Sequence, residues 1–328
     1  MIEVSILKAV LLDTDEHANH CHDIYGSKKI TEILKKTKIR NNFINLCKNC
    51  GEEILINSSN KEFIVKKLYM KNISSKLTEY NVKHVFIKGV PLSKVFYKNP
   101  SDRIYTDADI LIDLTDYENF YNFLDANHFK HNFNYKYLDR IGYTRSALEV
   151  IDSEVNLDFH FRISDNFKKN ECKLSKYALT QKSVLEGLPI PRNELLLIIC
   201  LFKVLEDRLR SGPIYLVDSE RIIKKGIDED YLLPILSEFN LTKFYRDTVS
   251  IINNLKNGSE TKKQSDFIIW LFKNEGKKPF LPSRSITLTQ IMHLFDPEPY
   301  LNYVGGNLEA NHYLELVKNK LKRLRRRN

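Results

Sequence analysis

The spacing of apolar positions changes twice along the chain. Over the first 80 residues it is near-helical: Ile30, Ile33, Leu34 and Ile39, then Phe63, Ile64, Leu68, Ile73 and Leu77, predict amphipathic helices. Between 82 and 163 the period shortens. "KHVFIK" (83–88) and "ADILID" (108–113) predict strands, and "VPLSKVFY" (90–97) predicts a helix with Pro91 in its first turn, where proline is tolerated. Thr115 and Glu118 form a capping-box pattern before a helix with Tyr117, Phe120, Tyr121 and Leu124 on one face. "HNFNYKYL", "TRSALEVI" and "EVNLDFHFRI" are strand-like. From about 190 the chain is helical again. "NELLLIICLFKVLEDRL" is apolar almost all round, which predicts a buried central helix, and Gly212-Pro213 separates it from "IYLVDSERIIKKG". The connection 164–190 is the expected hinge. Together these patterns predict an α+β protein: an N-terminal helical segment (1–80), a small mixed-sheet core (81–165) and a C-terminal helical domain with a basic tail (166–328).

Composition narrows the class. The 328 residues are 42% hydrophobic and 28% charged, which suits a globular chain with a sizeable core rather than a disordered one. The net charge of +9 favours polyanionic partners such as nucleotides, nucleic acid or an acidic membrane face. Five cysteines, an odd and sparse count, do not form a disulfide framework and fit a reducing cytoplasm. The first residues lack a basic n-region and a small-residue cleavage site, and no run reaches the roughly 18 apolar residues of a membrane span.

The candidate chemistry lies in the middle block. On a strand, residues i and i+2 share a face, so Asp107 and Asp109 aim two carboxylates at one point while Ala108 and Ile110 turn away. Two such charges repel unless a cation or a proton sits between them. Asp158, in "LDFHFR" (157–162), supplies a third carboxylate, with His160 and Arg162 on its side of the pleat. Three carboxylates are the donor set of a site for hard cations such as Mg²⁺, and can hold two ions about 4 Å apart. Lys88-Gly89 stands between a strand and a helix, where glycine lets a phosphate approach the helix N-terminus; Lys88 and Arg103 add cationic donors.

This ordered set, "FIKG" (86–89), Tyr97, Arg103, "DADILI" (107–112) and "LDFHFR" (157–162), resembles the nucleotidyltransferase superfamily of the DNA polymerase β type, and more closely its uncharacterised bacterial branch. An apolar helix followed by a Leu-x-Asp helix is similar too, with Asp218 as the aspartate. The resemblance covers about 80 to 225. It implies a polymerase β-like core in which Asp107, Asp109 and Asp158 are catalytic and hold Mg²⁺, two ions, with Mn²⁺ as a substitute. It implies an NTP substrate bound by Lys88, Gly89, Arg103 and Lys203. Tyr97, His160, Arg162 and Asp218 stand on the acceptor side or support the others. The implied reaction transfers NMP to an acceptor hydroxyl of RNA (a tRNA end), a small molecule or a peptide. Three departures stand out: Val90 occupies the place of the superfamily's phosphate-loop serine, Phe202 and Lys203 stand where a histidine is common, and Phe161 replaces a tryptophan. The loss of the serine keeps a second expectation open, a non-catalytic nucleotide-sensing or RNA-binding module.

Outside this block, Cys47 and Cys50 have zinc-ligand spacing, with His20, Cys21 or His22 to complete a set, against the simpler reading of surface histidines and half-buried thiols. Trp270 is expected in the core. The tail "NHYLELVKNKLKRLRRRN" is a basic amphipathic helix suited to RNA, a membrane surface or the protein's own helices.

Overall fold

The computed structural model describes residues 1–35, 37–47, 53–99, 102–103, 105–129, 147–150, 155–163, 169–206 and 212–275. The expected strand at 131–138, Cys50 and the basic tail lie outside the described residues. Four helices open the chain: α1 (Ile2–Leu12), α2 (Asp15–Tyr25), α3 (Ser27–Leu34) and α4 (Arg40–Leu46), followed by α5 (Glu53–Glu79). The first is not amphipathic. Ile2, Val4, Ile6, Leu7, Ala9, Val10 and Leu11 are all buried, so α1 is a core helix.

The sheet follows: β1 (His84–Ile87), α6 (Gly89–Phe96), β2 (Asp107–Ile112), α7 (Tyr117–Ala126), β3 (Ala147–Val150) and β4 (Asn156–His160). The strand order is β1-β2-β4-β3, with β2 and β4 parallel and the two outer pairs antiparallel. The alternation of each strand divides its residues between two cores. Phe86, Ala108, Ile110, Ile112, Leu157 and Phe159 pack with Met70, Ile73 and Leu77 of α5 and with Phe120, Phe123 and Leu124 of α7. Phe120 and Phe159 meet edge to face with centroids 5.0 Å apart. Val85, Ile87 and Leu111 face the other way, into a helical core.

That second core joins the two ends of the described chain. After β4 come α8 (Lys169–Thr180), a hairpin of β5 (Lys182–Leu185) and β6 (Leu188–Pro191), then α9 (Asn193–Glu206), α10 (Ile214–Lys225), α11 (Glu229–Glu238), α12 (Thr242–Asn257) and α13 (Lys262–Asn274). Helix α9 buries Leu195 to Ile199 without a break, as its all-round apolar sequence predicts. The helix α1 packs against α10, α12 and α13, so the N-terminal helices and the C-terminal half share one hydrophobic cluster. The protein is α+β, mostly helical with small mixed sheets, and among the described residues no helix is long and apolar enough to cross a membrane.

Four local expectations are corrected. The segment expected as a hinge holds α8 and a two-residue hairpin whose turn residues Glu186 and Gly187 have φ of 50° and 86°, the mirror-image turn that matches strand twist. The capping box at Thr115 does not form; the Asp113 carboxylate instead accepts from the Thr115 N–H, opening a short 3₁₀ turn before α7. Trp270 is 43% exposed and stacks on Phe267 rather than entering the core. Ile64 and Leu68 are exposed, whereas Met70, Ile73 and Leu77 further along α5 are buried.

Candidate active site

Strand β2 brings Asp107 and Asp109 onto the face of Leu111, toward the helical core. Because β4 runs parallel to it, Asp109 lies in register with Asp158, and Leu111 with His160. Four polar side chains therefore share one face of two central strands. Asp109 and His160 are almost fully buried, while Asp107 and Asp158 are half-buried. His160 Nε2 lies 2.7 Å from Asp109 Oδ1 and 3.2 Å from Asp158 Oδ2. Lys88 Nζ donates to the same Asp109 oxygen and stands 3.2 Å from His160 Nε2.

Lys88 occupies the turn between β1 and α6 with φ 59° and ψ −121°, a conformation that L residues avoid and that costs about 1–3 kcal/mol. Its neighbour Gly89 is required by packing: a Cβ there would lie 2.6 Å from the Tyr105 Cβ. The glycine thus admits Tyr105, in addition to leaving the start of α6 bare as the sequence suggests.

The charges explain the protonation states. Burial works to raise the Asp109 carboxyl, but Lys88 and His160 outweigh it and hold the group down at about 2. Burial and then Lys88 oppose a charged His160, yet its bonds to Asp109 and Asp158 raise it above the ordinary imidazole value. Burial also disfavours the Lys88 ammonium, and Asp109 reverses this, so Lys88 ends above its usual value. Asp107 is pushed up by burial and then by the adjacent Asp109 charge.

The donor atoms of Asp109, Asp158 and His160 all lie within 4.8 Å of one another, which makes them the group among the described residues that could hold a metal ion. The two carboxylates are donors suited to Mg²⁺ or Mn²⁺, whereas the imidazole is a donor that Mg²⁺ does not favour. Asp107, expected as a ligand, lies outside this group, and His160, expected as a supporting residue, lies within it. The Lys88 ammonium sits on the Asp109 oxygen that His160 also contacts.

Asp107 and Asp109 open on a cleft of about 330 Å³ between the sheet and α9 and α10. Asp107, Asp109, Lys88, Gly89, Arg103, Lys203 and Asp218 line it, together with Tyr105, Thr106, Lys38 and an apolar wall from α9 that includes Leu196 and Ile199. Asp158, His160, Arg162 and Tyr97 are not on its lining. Arg162 is buried just beyond β4. Arg103 places Nε 2.9 Å and Nη2 3.0 Å from the two Asp218 oxygens, and the Tyr97 hydroxyl donates to Asp218 Oδ1 at 2.7 Å. Arg103, expected on a phosphate, is thus engaged by Asp218, and the three residues tie α6 and the loop before β2 to α10. Burial raises the Tyr97 hydroxyl well above its usual value, with Asp218 adding to it, so Tyr97 remains a donor.

Lys38, Tyr105 and Thr106 carried no signal in the sequence, because nothing local marks a residue that reaches a cleft through tertiary packing. At the other candidate site, Cys21 and Cys47 are both buried, and burial followed by the neighbouring Cys47 lifts the Cys21 thiol to about 11. No metal-donor group forms there among the described residues.

A family model described as an uncharacterised nucleotidyltransferase matches residues 64–257. No curated protein matches the chain. The matched span takes in α5 from Ile64, the whole described sheet, and the helices through α12, and so contains both the acidic cluster and the α9–α10 wall of the cleft.

Proposed function

The chain belongs to this family of uncharacterised nucleotidyltransferases, and we propose that it transfers a nucleoside monophosphate from an NTP to an acceptor hydroxyl in the cleft between β2 and α9, on a polymerase β-like core. The observation that carries this reading is the register of β2 and β4, which sets Asp109 beside Asp158 with His160 at their junction. Asp109 and Asp158, with His160 and the nearby Asp107, are the residues that would hold Mg²⁺, or Mn²⁺ in its place. A divalent cation, when bound, neutralises phosphate charge and makes the acceptor hydroxyl easier to deprotonate.

The chain's own groups divide the remaining work. Lys88 and Lys203 face the cleft as counter-charges for the phosphate oxygens, and the free N–H groups at the start of α6 offer a second anchor. The acceptor oxygen forms a bond to the α-phosphorus, the bond to pyrophosphate breaks, and the hydroxyl proton passes to a carboxylate. We assign that role to Asp158 or Asp107, both half-buried where Asp109 is closed in, with Asp107 the one that lines the cleft. Arg103, Tyr97 and Asp218 hold the two walls at a fixed separation, so their contribution is positioning. The cleft volume is at the low end of ligand pockets.

A second reading has its own support. Lys88 and His160 pair with Asp109 from within the chain, an arrangement that a non-catalytic nucleotide-sensing module can keep. Transfer of label from each α-³²P-NTP with Mg²⁺ into RNA, protein and small-molecule fractions of a host extract separates the two. The proposal expects label in one fraction, lost by on the order of 10³-fold in Asp109→Asn. Binding of NTP without any transfer would move the conclusion to the sensing module.

A further inference from the structure

One wall of the cleft comes from outside the family-matched span. Lys38, on the connection between α3 and α4, lines the cleft with Lys88 and Lys203. Its place is set from both sides. Thr37 and Ile39 are buried, and the Thr37 N–H and hydroxyl both donate to the Leu34 carbonyl, at 2.9 and 3.2 Å. Lys38 is therefore the exposed residue of a pinned turn. Its own N–H donates to Glu275 Oε1 at 2.9 Å.

Glu275 directly follows α13 and is itself seated closely. A Cβ on Gly212 would lie 2.4 Å from the Glu275 carboxyl carbon, so the Glu275 side chain lies directly over Gly212, whose φ of +71° favours glycine. Residues 38, 212 and 275, distant in sequence, thus meet beside the cleft. A cleft that draws lysines from three separate elements has the charge for a ligand with several negative charges rather than one.

Resting on the nucleotidyltransferase reading, we infer that Lys38 is a third cationic contact to the polyphosphate tail of the nucleotide, and that Glu275 is the residue that positions it. The nucleotide site is then completed by chain segments on both sides of the family-matched span. Lys38 acts through its ammonium, and Glu275 through the backbone of Lys38.

The test is calorimetric binding to the full chain of each Mg²⁺-NTP in turn, inorganic tripolyphosphate and the corresponding NMP. Lys38→Met should weaken NTP and tripolyphosphate roughly tenfold and leave NMP unchanged, whereas Lys38→Arg, keeping the charge, should stay within about threefold. Glu275→Ala should show the same ligand pattern and add little to Lys38→Met in the double variant, while Glu275→Gln, which keeps an acceptor oxygen, should bind like the parent. Equal NTP affinity in the parent and Lys38→Met would overturn the inference, as would equal weakening of NTP and NMP, the mark of a purely structural role. A parent that binds none of the four NTPs would overturn the nucleotide reading itself, and the role of Lys38 with it.

Discussion

Two buried aspartates, Asp109 and Asp218, line the same cleft, and each takes hydrogen bonds from a cation, yet their surroundings differ in kind. Asp218 meets one guanidinium in a two-point contact and one tyrosine hydroxyl, and the ion pair is balanced. Asp109 shares its oxygen with Lys88 and His160, while Asp107 and Asp158 crowd the same strand face. The first cluster is complete as it stands and fixes helix α10 to the sheet. The second has more acids than its own cations can neutralise, on a face that opens to a cleft. A surplus of carboxylates next to space is what separates a candidate site from a structural ion pair made of the same residue types.

The largest effect that would break this comparison is on stability. Arg103→Met leaves Asp218 buried without its cation and should cost about 3–5 kcal/mol in urea unfolding. Asp109→Asn should cost distinctly less, because Lys88 is only half-buried and keeps Asp158 and Asp107 nearby, and His160 can release its proton and still pair with Asp158. Equal costs would mean that both clusters are structural.

A smaller effect sharpens the comparison through two buried histidines. His160 sits among carboxylates and is raised; His84, bonded to Ser74 and to the Val82 carbonyl, is lowered by burial to about 4. Their signs are opposite. Below its unfolded value of about 6.5, His84 takes up a proton in the unfolded chain but not in the folded one. Stability should therefore fall by on the order of 2–3 kcal/mol as the pH drops from 6.5 to 4, and His84→Gln should flatten that slope. His160 contributes stability that is full below 6.5 and is lost as the pH rises through its raised value, so His160→Gln should change the alkaline side of the profile instead. Unfolding midpoints measured from pH 4 to 9 on both variants distinguish the two environments.

Much of this was legible in local pattern. Period-two alternation placed Asp107 and Asp109 on one face and Ala108 and Ile110 on the other, and the apolar run 195–199 marked α9 as central. What was not legible depends on distant partners. Arg103 looked like a phosphate donor because nothing near it shows that Asp218, 115 residues away, engages it. The β5–β6 hairpin was hidden by Pro189 and Pro191, which argue against a strand unless it is short and at an edge. The early apolar positions of α5 read as a buried face although Ile64 and Leu68 are exposed, because periodicity does not say whether a partner layer extends that far. His160 was read as an accessory because its spacing two residues after Asp158 does not reveal that β4 pairs in parallel with β2.

The central claim is that the Asp109 cluster, and not the Asp218 cluster, takes a divalent cation together with a nucleotide. Titration of Mn²⁺ followed by electron paramagnetic resonance, with and without NTP, tests it on the parent, Asp109→Asn and Asp218→Asn, each checked for folding. The account predicts Mn²⁺ binding that NTP strengthens, that Asp109→Asn abolishes, and that Asp218→Asn retains wherever it folds. Binding that survives in Asp109→Asn, or no binding by the parent even with NTP present, would contradict it.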